Sequence, residues 1–208
     1  MEQYFSNKPT SKDKNRAFEF IFEGQKFKFS SNNGVFSKDA VDFGTELLLK
    51  AFYLDRANGN MEAVKIVDAG CGIGIVGVIL GKMFPEAKLL LFDINERALD
   101  LAKENCKNNH ISNSQILISD LFSQVEDRDF DYILTNPPIR AGKQVIFNLY
   151  EACFHKLKDK GAVYVVIQKK QGADSTREKL IELFGNCSTL EKKSGFKILK
   201  SIKGSVHP

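Results

Sequence analysis

The chain has 208 residues, of which 43% are hydrophobic and 27% are charged, and its formal net charge is +4. The length is that of one domain with a small appendage, and the composition is that of a folded globular protein. The charge permits a nucleic-acid partner without requiring one. No window is apolar for the length of a membrane span, and segment 1–16 lacks the apolar core of a signal peptide, so we expect a cytoplasmic protein. Four scattered cysteines without a C-x-x-C pair argue against a metal site and against a disulfide framework.

The first part of the chain predicts a hairpin and a helix. Its expected elements are strands at 18–22 and 27–29 around a turn at 23–24, a second turn at 33–34, and a helix at 45–52. Phenylalanines alternate with other residues in both strands, and the Thr45 hydroxyl is the expected helix cap. We assign residues 1–60 to an N-terminal extension that packs on a main domain formed by residues 61–208.

The rest of the chain alternates strand and helix, which is typical of a parallel sheet covered on both faces. The predicted strands are 65–68, 88–92, 115–118, 130–134 and 162–167. The predicted helices are 75–84, 96–108, 144–157 and 174–184. Two further strands, at 189–192 and 196–202, flank Ser194-Gly195 and predict a closing antiparallel hairpin. The expected fold class is therefore α/β, with a mostly parallel seven-stranded sheet.

A glycine-rich loop follows the first of these strands. The sequence D-A-G-C-G-I-G-I-V-G begins at Asp68 and satisfies G-x-G-x-x-G with Gly72, Gly74 and Gly77. These glycines permit a tight turn and a close approach of a ligand at a helix N-terminus. A dinucleotide would place its pyrophosphate there, but the charge of Asp68 opposes a phosphate in a low-dielectric crevice. We therefore predict a ligand without phosphate at this loop.

Carboxylates end three successive predicted strands. Asp68 ends the first, Asp93 ends the second where nucleotide-binding folds take ribose hydroxyls, and Asp120 ends the third, within reach of an adenine amine. The three should line one crevice, because the carboxyl ends of parallel strands meet at one edge of a sheet. Aspartates at strand ends also serve as helix caps, and for Asp120 that alternative stays open.

The stretch T-N-P-P-I-R-A-G-K, from Thr135 to Lys143, follows the apolar run 130–134. Its two prolines fix φ, remove two backbone donors and leave a rigid rim of acceptors. The side-chain oxygen of Asn136 and the carbonyl of Pro137 can hold the two hydrogens of one planar amine between them. The stretch therefore predicts a site for a planar amine or amide nitrogen.

From about residue 64 to the end, these motifs make the chain similar to the class I S-adenosylmethionine-dependent methyltransferases. N-P-P-I resembles the N-P-P-aromatic motif of members that modify planar nitrogens. Two further elements, F-S-S-N-N-G-V-F-S-K-D-A-V-D-F-G-T at 29–45 and Q-K-K-Q-G-A at 168–173, resemble those of the guanine-N2 methyltransferases of small-subunit (16S) ribosomal RNA. Larger members carry a second N-terminal domain, so the chain resembles a single-domain form. The resemblance implies a Rossmann-like fold and S-adenosyl-L-methionine as cofactor.

The resemblance also implies residue roles. Cofactor binding falls on Phe36, Thr45, Asp68, Gly70, Gly72, Gly74, Asp93, Ile94, Asp120, Leu121 and Asn136. The upstream element, which in the family lies over the cofactor, adds Gly34, Val35, Ser37, Asp42 and Gly44. Catalysis falls on Asn136, Pro137, Pro138 and Ile139.

Basic residues beside N-P-P and after the fifth strand predict a rim that contacts phosphate. The predicted substrate-binding residues are Arg140, Lys143, Lys169 and Lys170. The family often has an aromatic ring after N-P-P to stack on the target base, and Arg140 or Phe36 can take that role. Alternatively, Ile139 belongs to the core and Arg140 is a solvated charge. We interpret the lysines at 192, 193, 197, 200 and 203 as solvated surface.

The sequence thus predicts methyl transfer from S-adenosylmethionine to the exocyclic N2 amine of a guanine in small-subunit ribosomal RNA. The expected partner is that RNA or the assembled small subunit, without a membrane or a metal, and we favour a monomer. One alternative is a glutamine-amide methyltransferase that acts on a protein. Another is a nucleotide-dependent oxidoreductase or a regulatory module that binds a nucleotide cofactor at G-x-G-x-x-G.

Overall fold

The computed structural model describes residues 16–32 and 40–204. These residues contain nine strands and five α-helices. The strands are β1 (Arg16–Phe22), β2 (Gln25–Ser31), β3 (Lys65–Ala69), β4 (Lys88–Asp93), β5 (Ser114–Ile118), β6 (Phe130–Thr135), β7 (Leu157–Gln168), β8 (Ser188–Lys193) and β9 (Phe196–Ile202). The helices are α1 (Phe43–Arg56), α2 (Ile75–Met83), α3 (Glu96–Asn108), α4 (Lys143–Lys156) and α5 (Ala173–Phe184). Single 3₁₀ turns cover Ile139–Ala141 and Lys169–Gln171.

Seven of the strands form one sheet in the order β5-β4-β3-β6-β7-β9-β8. β3 to β7 are parallel, and β9 runs antiparallel between β7 and β8. This confirms the predicted mostly parallel seven-stranded sheet with its closing hairpin. The chain changes direction across the sheet at β3, which pairs with both β4 and β6. In open α/β sheets such a switch point opens a crevice at the carboxyl ends of the strands.

The sheet is covered on both faces because neighbouring residues of each strand point to opposite sides. Ile66 of β3 packs with Leu48 of α1 and Ile79 of α2, together with the phenylalanines of the β1–β2 hairpin. Val67, the next residue of β3, belongs to the opposite core cluster, which contains Tyr150 of α4 and residues of α5. The hairpin and α1 therefore share one core with the sheet.

Two buried asparagines, Asn105 of α3 and Asn109 at its C-cap, attach the hairpin to the main domain. The Asn105 amide accepts a hydrogen bond from Ser30 N (2.6 Å) and donates to Ser30 O (3.1 Å). Asn109 does the same with Lys28, at 3.0 and 2.8 Å. Together the two amides form hydrogen bonds with the backbone N–H and C=O groups of Lys28 and Ser30, as a neighbouring strand would at this edge of β2.

The C-terminal end of α1 is held against the sheet by charged residues. The Asp55 carboxylate accepts hydrogen bonds from the Tyr164 hydroxyl (2.5 Å) and from Lys200 Nζ (2.6 Å). The Lys200 side chain is only 11% exposed. The interpretation of Lys200 as solvated surface is therefore wrong: it lies on the part of β9 that packs against α1. Lys197 also has a partner, Asp174 at 2.7 Å.

The start of β7 also differs from the prediction. α4 ends at Lys156, and β7 begins at Leu157 rather than at residue 162. Between the predicted helix and the predicted strand, Lys160 adopts a positive φ of 63°. Nevertheless Leu157 pairs with Phe130 of β6, and the register then shifts before Tyr132 pairs with Ala162. A β-bulge therefore absorbs the extra residues inside the strand.

Candidate active site

The glycine loop joins β3 to α2 at the switch point of the sheet. Gly70, Gly72 and Gly74 have φ of 72°, 53° and 81°, a left-handed backbone that residues with a Cβ rarely adopt. The amides of Gly70 and Cys71 donate to the carbonyl of Phe92, which fixes the loop beside the end of β4. An added Cβ at Gly70 would meet nothing within 4 Å, so the loop is open on that side. The loop thus presents accessible backbone at the crevice, as the sequence predicts.

Gly77 has a packing role rather than a ligand role. A Cβ on this residue would lie 2.3 Å from Cδ2 of Leu91. Helix α2 therefore lies so close to β4 that only glycine fits at the contact. This accounts for the last glycine of the G-x-G-x-x-G pattern.

Asp68 ends up beneath the loop. Its carboxylate accepts a hydrogen bond from Gly77 N at 3.0 Å, and the residue is 4% exposed. The N-cap of α2 is Gly74, which has no side chain, so Asp68 satisfies a helix donor from a neighbouring strand. Burial raises the pKa of Asp68 from 3.8 to about 7; the Gly77 amide opposes that rise and the charge of Asp93 adds to it. A cation bound near the loop would favour the ionised form.

Asp93 holds the loop from the next strand. One of its carboxylate oxygens accepts from Gly72 N at 2.8 Å and the other from Asn95 N at 2.9 Å. Burial raises its pKa, while these amides, with that of Ile94, oppose the rise. The structure therefore brings Asp93, Asp68 and the glycine loop together.

Asp120 and Leu121 follow β5 on the same edge of the sheet. Asp120 is exposed, and Leu121 has a positive φ of 50°. The turn after Asp120 is closed by Ser119, whose hydroxyl accepts from Gln124 N at 3.1 Å. No helix begins here, so the alternative that Asp120 is a helix cap is wrong.

Asn136 is bound to the start of α1. Its Nδ2 donates to Thr45 Oγ1 at 3.0 Å and to Asp42 Oδ1 at 3.3 Å. A carboxylate only accepts hydrogen bonds, so this contact fixes which side of the amide carries the NH₂ group. Within the described part of the chain, Asn136 Oδ1 accepts no hydrogen bond. The amide is therefore oriented with its acceptor available there.

The predicted cap of α1 is wrong. Asp42 is the N-cap, and its side chain accepts from Thr45 N at 3.1 Å. The Thr45 hydroxyl instead contacts Asn136, from which it is separated by 91 residues in the sequence. Sequence reasoning missed that Asp42 and Thr45 orient Asn136, because the contact is entirely tertiary. An aspartate three residues before Thr45 is a typical N-cap, and this spacing could have identified Asp42 as the start of the helix.

The two prolines extend the backbone away from β6. Thr135, at the end of the strand, is fully buried and donates its hydroxyl hydrogen to Ala69 O at 2.9 Å. Pro137 is buried, and its carbonyl accepts no hydrogen bond from any residue that the structure describes. Ile139 is half-buried against the core cluster on the α4 face, whereas Arg140 is exposed. The position after N-P-P therefore holds a packed aliphatic side chain.

The predicted basic rim lies at the ends of two neighbouring strands. β6 and β7 pair in parallel, so the segments that follow them lie side by side. All four residues are exposed: Arg140, Lys143, Lys169 and Lys170. Lys143 Nζ lies 5.1 Å above the Phe147 ring. None of the four forms a salt bridge with an acid in the described residues. Phe36, with Gly34, Val35 and Ser37, lies outside the described residues.

A sheet of this order, with a glycine loop at its switch point and acidic residues at the adjacent strand ends, defines a class I S-adenosylmethionine-dependent methyltransferase. Residues 26–200 match the model of the methyltransferase small domain family. The chain belongs to that family.

Individual relatives agree with this assignment. The uncharacterized protein YbxB of Bacillus subtilis is 44% identical over 203 residues, which cover 97% of this chain and 98% of YbxB. The T. thermophilus 16S rRNA N2-guanine methyltransferase RsmC, solved with AdoMet and guanosine, has a TM-score of 0.82 and 25% identity over 94% of this chain. This chain spans 52% of the length of that structure. A ribosomal protein L11 methylase from Lactobacillus delbrueckii shares the fold, with a TM-score of 0.65 at 20% identity over 81% of each chain.

Two kinds of feature are absent from residues 16–32 and 40–204. No helix there is long and apolar enough to cross a membrane. No group of three or more His, Cys, Asp or Glu residues there is arranged to hold a metal ion.

Proposed function

We propose that the protein transfers a methyl group from S-adenosylmethionine to the exocyclic N2 amine of a guanine in small-subunit ribosomal RNA. The oriented amide of Asn136 carries the proposal. Asp42 and Thr45 hold its Nδ2, so its Oδ1 is available to accept a hydrogen bond. Together with the similarity to RsmC, this acceptor favours a planar amine as substrate.

The two acceptors, Asn136 Oδ1 and the Pro137 carbonyl, address the difficulty of methylating such an amine. The nitrogen lone pair is delocalised into the guanine ring, so the amine is a poor nucleophile until it pyramidalises. Asn136 Oδ1 and the Pro137 carbonyl would each accept one amine hydrogen. These hydrogen bonds strengthen as positive charge develops on the nitrogen, so they stabilise the transition state more than the ground state. The departing proton can pass to Asn136 or to solvent, so no histidine is needed.

The cofactor would lie in the crevice above the glycine loop. S-adenosylmethionine supplies an activated methyl group when it is bound. The residues proposed to hold it are Thr45, Asp68, Gly70, Gly72, Gly74, Asp93, Ile94, Asp120 and Leu121. The open backbone at Gly70 and the two acidic residues below the loop fit a positively charged ligand. The protein then contributes mainly alignment, which is worth roughly 7 to 11 kcal/mol when the geometry is good.

RNA binding would use the basic rim. Arg140 and Lys143 flank N-P-P, and Lys169 and Lys170 follow the neighbouring strand. Lysine and arginine side chains without acidic partners bind phosphates and release counterions, which positions a strand without reading its sequence. The rim therefore supports a nucleic-acid substrate over a protein amide.

The deciding experiment offers labelled S-adenosylmethionine with naked ribosomal RNA, assembled small subunits and ribosomal protein in parallel. We expect label in RNA, recovered as N2-methylguanosine after nucleoside analysis. Label found only in protein, as methylated glutamine, would support the amide methyltransferase instead. Binding of a nicotinamide cofactor without binding of S-adenosylmethionine would support the oxidoreductase.

Asn136→Ala tests the proposed role of Asn136 as an acceptor for the substrate amine. The variant loses the acceptor for the amine but keeps the glycine loop, so S-adenosylmethionine affinity should survive while turnover falls by orders of magnitude. Asn148→Ala is the matched control, because Asn148 is an exposed asparagine on α4 whose side chain accepts a hydrogen bond from Gln144. Retained turnover in Asn136→Ala would remove the central role of this residue.

A further inference from the structure

Two phenylalanines lie beside the Asn136 site without a role in the scheme above. Phe43 begins α1 directly after Asp42, and Phe196 begins β9. Their ring centroids are 5.5 Å apart with an interplanar angle of 54°. Phe196 also pairs with Gln168, the last residue of β7. The pair therefore occupies the place where the start of α1 meets the carboxyl end of β7.

Close packing fixes this pair. A Cβ on Gly44 would lie 3.0 Å from Cε1 of Phe196, so the ring of Phe196 rests against the backbone of α1. Phe43 lies over Phe196 yet remains 38% exposed. It is the one aromatic residue among the exposed large hydrophobic residues of the described segments. A single exposed apolar residue is ordinary, but a ring held in place with part of its surface open is preorganised to stack.

Exposed lysines lie on the segments next to the pair. The amide of Lys169 donates to the carbonyl of Gly195 at 2.7 Å, which ties the β8–β9 turn to the 3₁₀ turn of the basic rim. Lys169 therefore lies next to the β8–β9 turn, which directly follows the exposed Lys192 and Lys193 in the chain. An aromatic ring flanked by cations is the combination with which proteins bind single-stranded nucleic acid, since every base has a π-face and every nucleotide a phosphate.

We propose that the Phe43–Phe196 pair stacks on a nucleobase that flanks the target in the RNA strand, with the lysines of the rim and hairpin on its phosphates. This inference rests on the proposed function. We assign the pair to a flanking base because Phe43 does not adjoin Asn136 directly. Asp42, the residue before Phe43, is the one whose side chain binds the Asn136 amide. The target base must reach Asn136 Oδ1, whereas a neighbouring base on the same strand would reach Phe43.

A tryptophan reporter tests the stacking directly, because the chain contains no tryptophan. Phe43→Trp places one reporter in the pair, and Leu54→Trp places one at the other end of α1, where Leu54 is 76% exposed. Each variant is titrated with a mixed-sequence oligoribonucleotide of about ten nucleotides, and with an abasic strand of equal length and charge. We expect the RNA, but not the abasic strand, to quench the fluorescence of Phe43→Trp, and neither strand to quench that of Leu54→Trp. Equal quenching of Phe43→Trp by both strands, or no quenching of this variant, would overturn the inference.

Activity supplies the second measurement. Phe43→Leu keeps apolar packing on Phe196 but removes the ring, so KM for the RNA substrate should rise about tenfold. S-adenosylmethionine affinity and the melting temperature should stay near those of the wild type, and Leu54→Ala should not change KM. A wild-type KM in Phe43→Leu, while the wild-type enzyme methylates RNA, would refute the stacking role alone. If the wild-type enzyme transfers no methyl group to RNA, the proposed function fails and this inference fails with it.

Discussion

Asp68→Asn should make the protein more stable at alkaline pH while weakening its binding site. The pKa of Asp68 is raised to about 7 in the folded chain, from an ordinary value of 3.8. Between these values the folded state holds a proton on Asp68 that the unfolded state has already lost. Stability therefore falls as pH rises from about 4 to about 7 and is flat above that range.

The size of the effect follows from the same two values. A change in proton affinity of about three powers of ten corresponds to about 4 kcal/mol, which is the full cost of ionising Asp68 in the folded protein. About 2 to 3 kcal/mol of this cost develops between about pH 5 and about pH 8. Asparagine keeps an acceptor for Gly77 N and does not ionise, but its buried NH₂ group costs about 1 to 3 kcal/mol at every pH. That constant cost cancels when the variant is compared with the wild type at two pH values.

The assay is urea unfolding of both proteins at about pH 5 and about pH 8. We expect the stability of Asp68→Asn relative to the wild type to be higher at about pH 8 than at about pH 5, by about 2 to 3 kcal/mol. Titrating groups that do not interact with Asp68 act equally in both proteins and drop out of the difference. An equal pH dependence in the two proteins would refute the reasoning. The variant should also bind S-adenosylmethionine less tightly, because the positively charged ligand favours an ionised carboxylate beneath the loop.

Two further substitutions test the geometry around the site. Asp42→Ala removes the oxygen that both caps α1 and accepts a hydrogen bond from Asn136. Stability should fall by about 0.5 to 2 kcal/mol, and turnover should fall because the Asn136 amide loses one of its two partners. Wild-type turnover in this variant would contradict the positioning role. Gly77→Ala places a Cβ 2.3 Å from Leu91 and should lower the free energy of unfolding in urea by about 1 to 3 kcal/mol. Gly204→Ala is the control and should change it little, because nothing lies within 4 Å of an added Cβ there. Equal effects of the two substitutions would show that α2 can move away from β4 freely.

The sheet was predictable because each strand carries its own signal. β3, β4 and β6 are short apolar runs with a polar residue at or next to the end, and the predicted bounds differ from the observed ones by one residue. The turn at Ser194-Gly195 was also predictable from sequence. The structure confirms it, with positive φ angles of 49° and 79° at the two residues. These signals are local, so one sequence is enough to find them.

The features that were missed are tertiary. Lys200 looks like any surface lysine until β9 is placed against α1, where Asp55 holds it. The early start of β7 depends on a bulge opposite β6 that no local pattern reveals. The glycine loop and the acidic strand ends were found because that crevice is assembled from strand ends in chain order. The orientation of Asn136 was not found, because its partners lie far earlier in the chain, at 94 and 91 positions' separation.

Helix α1 accordingly has more influence on the site than its place in the sequence suggests. At its start, Asp42 and Thr45 orient the Asn136 amide, and Phe43 lies on Phe196. At its end, Asp55 is bound to Tyr164 of β7 and Lys200 of β9. Both ends therefore tie the helix to the half of the sheet that carries N-P-P and the basic rim. A boundary at residue 60 would place Asp42 and Thr45 in one part of the chain and the Asn136 amide that they bind in the other. We therefore predict that the N-terminal extension forms part of the proposed site, because its Asp42 and Thr45 orient the Asn136 amide.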